Sequence, residues 1–281
     1  MPMALDPADF AYISAFIRES SAIILESGKE YLVDSRLMPI VREEGLASIA
    51  ALVVQLRKRP LNGLHARVVE AMTTNETSFF RDVAPFDGVR LRILPDLITR
   101  RTAERRLRIW CAAASSGQEP YSLAMLILEH FPVLANWDVK IVATDISRDI
   151  LQRCKTGRYS QFEVNRGLPA PMLVKYFEHA GKEWSIKESV RKLVQFEEMN
   201  LIRPWKGLPN CDIVFMRNVL IYFDVPTKKD ILGKIRRVMR PDGYLFLGSA
   251  ETTMNIDSNF TRVPLEKSSC YSIGGAGPAS G

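Results

Sequence analysis

The chain is poor in the residues that ligate metals or form covalent cross-links. Among its 281 residues there are four cysteines and three histidines. Cys111, Cys154, Cys211 and Cys270 lie far apart and form no CxxC pair. A zinc site needs closely spaced ligand pairs, and a disulfide framework needs a dense, even set of cysteines. Neither pattern is present, so no metal is expected and a reduced cytoplasmic setting fits. No apolar stretch approaches the roughly 20 residues that span a bilayer, so membrane insertion is not expected. The opening MPMALDPADF lacks a basic region followed by an apolar run and does not read as a secretory signal. Internal repeats and low-complexity blocks are missing, as is the GxGxxG fingerprint of dinucleotide-binding turns.

What is present is a chain able to build a core. Hydrophobic residues make up 47%, enough for one large or two modest domains. The net charge of +6 would by itself suggest nucleic acid, but the excess is local. Residues 1–90 carry 10 Lys and Arg against 12 Asp and Glu. Residues 91–108 carry six Arg against Asp96 and Glu104. A basic excess confined to RLRILPDLITRRTAERRLR fits the solvated face of a connecting helix, and no nucleic-acid partner is expected.

Residues 1–90 read as all-helical. Asp6 can cap a helix with Pro7 at its first position, and Phe10, Ile13 and Ile17 then share a face. EYLVDSRLMPIVREE, SIAALVVQLRKR (stopped by Pro60) and LHARVVEAMTT make three more. Residues 91–106 read as a linker helix, and the texture changes from residue 107. LRIWCAA, VKIVATD, CDIVFMRN and GYLFLGS are short buried strands, and helices alternate with them. That alternation predicts an α/β domain over 107–274 with a parallel sheet covered on both faces. Between residues 157 and 203 a short helix and a polar alternating stretch predict a small inserted antiparallel β-subdomain. Trp184, Ile186, Val190, Val194 and Phe196 are its expected inward positions. The tail, residues 275–281, is expected to be disordered.

In open α/β sheets ligands sit beyond the carboxyl ends of the strands. Three strand ends therefore matter. AAASSGQEP follows the first, with small residues that let a ligand approach the backbone and Glu119 opening the next helix. Asp145 ends the second, where a carboxylate can accept from a ribose diol or cap a helix. RNVLIYF follows the third, with Asn218 and Tyr222. A pyrophosphate needs closely packed backbone amides at a helix start. The loop after strand one has a single glycine, Gly117, so a methyl donor without phosphates fits better than NAD.

The run Thr73-Thr74-Asn75-Glu76-Thr77-Ser78-Phe79-Phe80-Arg81 resembles the signature of the chemotaxis receptor methyltransferases, the CheR family. So do WCAAASSGQEPYSLAM, ATDIS, FMRNVLIYFD and PDGYLFLGSAE, in order and along nearly the whole chain. The resemblance implies a Rossmann-like S-adenosylmethionine-dependent methyltransferase sheet preceded by a helical substrate-docking domain. It implies a donor pocket of Asn75, Thr77, Arg81, Ala113, Glu119, Asp145, Asn200, Leu201, Asn218 and Val219. Arg81 and Tyr222 are the catalytic candidates, placed to position the acceptor carboxylate. The implied reaction is methyl-ester formation on chemoreceptor glutamates. An ionised glutamate, with a pKa of about 4.3, needs no general base, and no nucleophilic triad is found. Arg36 and Arg42 are the candidate receptor contacts, although Glu30, Asp34, Glu43 and Glu44 make their helix less basic than the family pattern. HAGKEWSIKESV lacks a glycine-rich loop, so independence of a receptor peptide tether is expected, and nothing requires more than a monomer. Two rival readings fit the sequence less well. A nucleic-acid or small-molecule methyltransferase is disfavoured because RNVLIYF has no Pro-Pro-aromatic loop, and a non-enzymatic binding module because the donor residues are intact.

Overall fold

The structure, a computed structural model, describes residues 5–58 and 62–274. By internal contacts the chain divides into two units. One is the chain up to Thr74 with Tyr222–Thr227; the other is Asn75–Ile221 with everything from Lys228.

The first unit holds α1 (Pro7–Ser21), α2 (Glu30–Glu43), α3 (Ile49–Lys58) and α4 (Gly63–Met72). Asp6 caps α1, its Oδ1 accepting from the Ala8 amide at 2.8 Å, with Pro7 in the first turn. Ile13 and Ile17, Val33 and Leu37, Leu52 and Leu56, and Leu64 and Val68 are buried, each pair one helical turn apart. Burying such side chains contributes about 1.5–3 kcal/mol each before entropy is counted, and this apolar stripe holds the four helices together. Asn62 caps α4, and His65 Nε2 meets the Leu56 carbonyl at 3.1 Å, so this histidine serves a helix end. The expected stop at Pro60 and the expected tail disorder at 275–281 lie outside the described residues.

After Thr74 the elements run α5 (Ala84–Gly88), α6 (Leu94–Arg100), β1 (Arg106–Ala112), α7 (Gln118–His130), β2 (Asp138–Asp145), α8 (Arg148–Thr156), β3 (Arg158–Ser160), α9 (Gln161–Val164), α10 (Ala170–Tyr176), β4 (Phe177–Ala180), β5 (Glu183–Ile186), α11 (Glu188–Arg191), β6 (Val194–Glu198), β7 (Cys211–Met216), α12 (Val225–Val238), β8 (Met239–Leu247), β9 (Phe260–Pro264) and β10 (Ser269–Ile273). The main sheet has the order β6-β2-β1-β7-β8-β10-β9. Strands β6, β2, β1, β7 and β8 are parallel, while β10 and β9 are antiparallel. Every residue of β7 is buried, which explains why CDIVFM is apolar apart from Asp212, whose carboxylate is paired with Arg101. From β1 the chain first builds outward through β2 and later returns to β1's other side with β7. The carboxyl ends of β1 and β7 thus flank a topological switch point.

Three sequence expectations are corrected. The boundary expected at residue 90 falls at Thr74, because residues 75–90 pack with the sheet unit. The segment expected as a solvated linker helix over 91–106 is instead part of the core. Phe86, Val89, Ile93, Leu94 and Leu97 are buried along a helical run that includes a π turn at Val89–Ile93. Its arginines are largely paired: Arg100 with Asp96 and Asp242, Arg101 with Asp212 and Asp242. The small sheet is β3-β5-β4 only; Val190 lies in α11, and Val194 and Phe196 belong to β6, the parallel edge of the main sheet. The β9–β10 hairpin was not anticipated, because its sequence has little regular alternation.

Candidate active site

The loop after β1 turns on backbone that L-residues adopt only when held. Ala113 and Ser115 have φ of 52° and 50°, and Gly117 has 91°. A Cβ on Gly117 would lie 3.1 Å from both Cys154 Sγ and Tyr159 Oη, so glycine is required twice over. The same two groups hold the loop from beneath. Cys154 Sγ donates to the Ser115 carbonyl at 3.1 Å, and the Tyr159 hydroxyl to the Ser116 carbonyl at 2.7 Å. Burial pushes the Cys154 thiol up to about 12 and the Tyr159 phenol further above its ordinary value. Both are therefore neutral donors, and Cys154 is no thiolate nucleophile.

Asp145, at the end of β2, binds this loop. Its Oδ2 accepts from the Ser115 amide at 2.8 Å and its Oδ1 from the Ser147 amide at 3.0 Å. Ser115 Oγ donates to the Asn75 carbonyl at 3.0 Å, and the Asp145 carbonyl accepts from Met199 at 2.8 Å. Asn75, the loop, Asp145 and Asn200 are thereby brought to one place. Asn200 Oδ1 accepts from the Ile202 amide at 3.1 Å. The Leu201 carbonyl receives both Trp205 Nε1 and Lys234 Nζ, each at 3.1 Å. Trp205 in turn sits edge-on to Trp110 at 4.8 Å, and Trp110 Nε1 donates to Thr144 Oγ1, beside Asp145.

At the end of β7 a second cluster forms. Asn218 has φ of 59° and, with Val219, is fixed by a carboxylate from beyond β8. Glu251 accepts from the amides of Gly248 at 2.6 Å, Asn218 at 2.8 Å, Val219 at 2.9 Å and Ile221 at 3.3 Å. Arg217, its side chain 1% exposed, donates to Glu119 Oε2 at 2.8 Å, Asp82 Oδ2 at 2.6 Å and the Arg81 carbonyl at 3.1 Å. Burial raises the Glu119 pKa above the ordinary carboxylate value, against the opposing pull of Arg217 and Arg81. Arg81 itself donates to the Glu76 carbonyl at 2.9 Å, and Thr77 lies half-buried between them. Neither Arg217 nor Glu251 was singled out from the sequence, though both stand inside runs quoted above. The available signal was an arginine directly after the apolar run IVFM, and an acid three residues past a strand-terminal glycine.

Tyr222 ends a single 3-10 turn, Leu220–Tyr222, and groups with the helical unit. Its carbonyl accepts from Ile24 at 3.2 Å, and nearby Asp224 pairs with Arg18 at 3.0 Å. Arg36 on α2 is half-buried and donates to the carbonyls of Met72 and Thr73 at 2.8 and 3.0 Å and to Thr74 Oγ1 at 3.1 Å. It ties off the end of α4. Arg42 is exposed, while Glu43 and Glu44 are both engaged by Arg67. The α2 surface is thus less acidic than its sequence suggests.

Among the described residues no three His, Cys, Asp or Glu side chains are grouped to hold a metal ion. Nor is any described helix long and apolar enough to cross a membrane. Residues 8–73 match the CheR methyltransferase all-alpha domain, and residues 75–268 match the CheR methyltransferase SAM binding domain. The chain is 40% identical over 265 residues to the chemotaxis protein methyltransferase Cher2 of Pseudomonas putida, covering 93% of this chain and 96% of that protein. It is 42% identical over 265 residues to chemotaxis protein methyltransferase 1 of Pseudomonas aeruginosa, with the same coverage. It is 37% identical over 275 residues to the chemotaxis protein methyltransferase of Vibrio anguillarum, covering 96% and 98%. A helical domain joined after Thr74 to a strand-end site on a switched parallel sheet, matched along both parts, places this chain in the CheR family of S-adenosylmethionine-dependent methyltransferases.

Proposed function

We propose that this chain transfers the methyl group of S-adenosylmethionine to glutamate side chains on the cytoplasmic methylation helices of chemoreceptors, forming glutamyl methyl esters. The observation that carries the reading is the buried Asp145 carboxylate at the carboxyl end of β2, with Glu119 and Glu251 gathered at that of β7, in a chain of this family. When bound, the cofactor supplies a sulfonium-activated methyl. The donor set suits it: acids for a ribose diol and an ammonium, amide side chains for polar edges, and a backbone loop without a phosphate cradle.

In this reading Asp145 holds the ribose, and Glu119, kept next to Arg217, receives the ammonium. Asn75, Thr77, Ala113, Asn200, Leu201, Asn218 and Val219 line the rest. Arg81 offers the acceptor carboxylate a planar fork and Tyr222 a directed hydroxyl. A glutamate, with a pKa of about 4.3, arrives ionised, so the residues have only to align it and exclude water. Arg42 is the exposed receptor contact on α2, and Arg36 holds the α4 end beside it. The turn between β4 and β5 is only Gly181–Lys182, which supports methylation without a receptor peptide tether. The protein works as a cytoplasmic monomer with no nucleic-acid partner.

The test is radiolabelled methyl transfer to purified chemoreceptor cytoplasmic domains, followed by mild base. Label that reaches receptor, leaves as methanol, and is lost in Asp145→Ala and Arg81→Ala supports the reading. Cofactor binding without label on any receptor means a different acceptor.

A further inference from the structure

Arg217 joins two segments far apart in sequence. Its Nη1 reaches Glu119 in the first turn of α7, and its Nη2 reaches Asp82 and the Arg81 carbonyl. The Phe86 ring lies 5.9 Å from its guanidinium carbon and closes one face. The turn it grips is conformationally costly, with φ of 48° at Phe80 and 63° at Asp82. Such backbone persists only when its surroundings over-determine it. On one side Phe80 donates to Ser122 Oγ at 2.9 Å, and Gly167 admits the Phe79 carbonyl where any side chain would collide. On the other side the only charged tether described is Arg217.

We propose that Arg217 is a positioning residue that couples the cofactor-side acid Glu119 to the acceptor-side Arg81. One rigid fork sets the height of Glu119 and, through Asp82 and the Arg81 carbonyl, the aim of the turn that carries Arg81. The inference rests on the roles given to Glu119 and Arg81 above. A planar guanidinium suits the task because its donors diverge at fixed angles, so two anions can be held at set positions; an ammonium cannot fix both. Arg217 also opposes the burial that favours the protonated form of Glu119, which keeps an ionised partner available for an ammonium.

The two arms can be cut separately. Asp82 is 48% exposed, so Asp82→Asn removes the charge on the turn side with little disturbance of packing. It is expected to leave S-adenosylmethionine affinity within about twofold while kcat for receptor methylation falls about tenfold, the effect of one charge-assisted bond. Amide exchange at residues 80 and 83 is expected to quicken. Arg217→Lys cuts the fork but keeps the charge. It is expected to lower both affinity and kcat about tenfold and to move the acid limb of cofactor binding to higher pH. A purely structural arginine would change thermal stability alone. The proposal is overturned if Asp82→Asn leaves kcat and exchange at 80 and 83 at wild-type values, or if Arg217→Lys shifts only the melting temperature. Exchange is read on the full chain without cofactor or receptor. A wild-type protein that methylated no receptor would therefore sink the functional reading, while exchange would still decide the bridge.

Discussion

The two ends of the parallel sheet each carry a buried arginine between two carboxylates. At the amino ends, Arg101 is 5% exposed and meets Asp212 at 2.8 Å and Asp242 at 2.6 Å. At the carboxyl ends, Arg217 meets Glu119 and Asp82 at 2.8 and 2.6 Å. The local chemistry is nearly the same, but the surroundings differ. Asp212 also takes the Arg108 amide at 2.8 Å, and Arg108 pairs with Asp138, so the amino-end network ties strand starts to each other and to α6. Burial alone would lower the Arg101 pKa, yet the hydrogen bonds to Asp242 and Asp212 raise it. The carboxyl-end network instead lies among left-handed residues at Phe80, Asp82, Ala113, Ser115 and Asn218. Strain gathered at one end of a sheet, and its scarcity at the other, separates a site from a brace.

This contrast is sharpest for loss of an arginine. Arg101→Ala is expected to destabilise the fold by about 3–5 kcal/mol, since it strands the buried Asp212 carboxylate. Urea unfolding measures it, and cofactor affinity of the folded fraction should hold. An equal loss of affinity and stability would break the comparison. Asp145→Ala is expected to cost about 1.5–3 kcal/mol in cofactor binding, a ten- to hundredfold weaker dissociation constant by calorimetry. Unchanged affinity would remove Asp145 from the donor site.

Glu251→Gln should cost about 1–3 kcal/mol in thermal stability, because an amide can no longer accept from all four backbone N–H groups. Acidity gives a further discriminator. Burial raises Glu119 above its ordinary value, so the folded state prefers the protonated form. The stability it contributes is present at low pH and is lost as pH rises from the unfolded pKa through the folded one. Cofactor binding has the opposite sign, because an ammonium needs the ionised acid. Affinity measured between pH 5 and 8 should fall on acidification, and Glu119→Gln should flatten that limb. The smallest effect is expected at the exposed pair of Arg148 and Glu198, where Arg148→Ala should change stability by less than about 1 kcal/mol.

Much of the fold was legible because buried parallel strands and amphipathic helices leave periodic marks. The four N-terminal helices begin within about two residues of their expected starts, since Asp6, Pro7 and the i, i+4 apolar pairs are local signals. The arginines at 91–108 misled for a physical reason. Composition records their charge, whereas Asp212 and Asp242, which pair with Arg101, lie more than a hundred residues away. Strand β6 was misassigned because an edge strand paired on one side alternates as an antiparallel strand does. Within the site, acids at strand ends could be found by position, but Arg217 and Glu251 act through groups on other segments.

The sequence by itself determined the element types, the alternation that makes a parallel sheet, and the family signatures that name the chemistry. All three follow from local periodicity and residue identity. Only the tertiary structure decided which arginine meets Asp212 and Asp242 and which meets Glu119 and Asp82, that Arg36 ties off a helix end, and that Glu251 shapes the loop after β7. Those roles depend on which donor meets which acceptor across long stretches of chain, and pairings of that kind are fixed by packing.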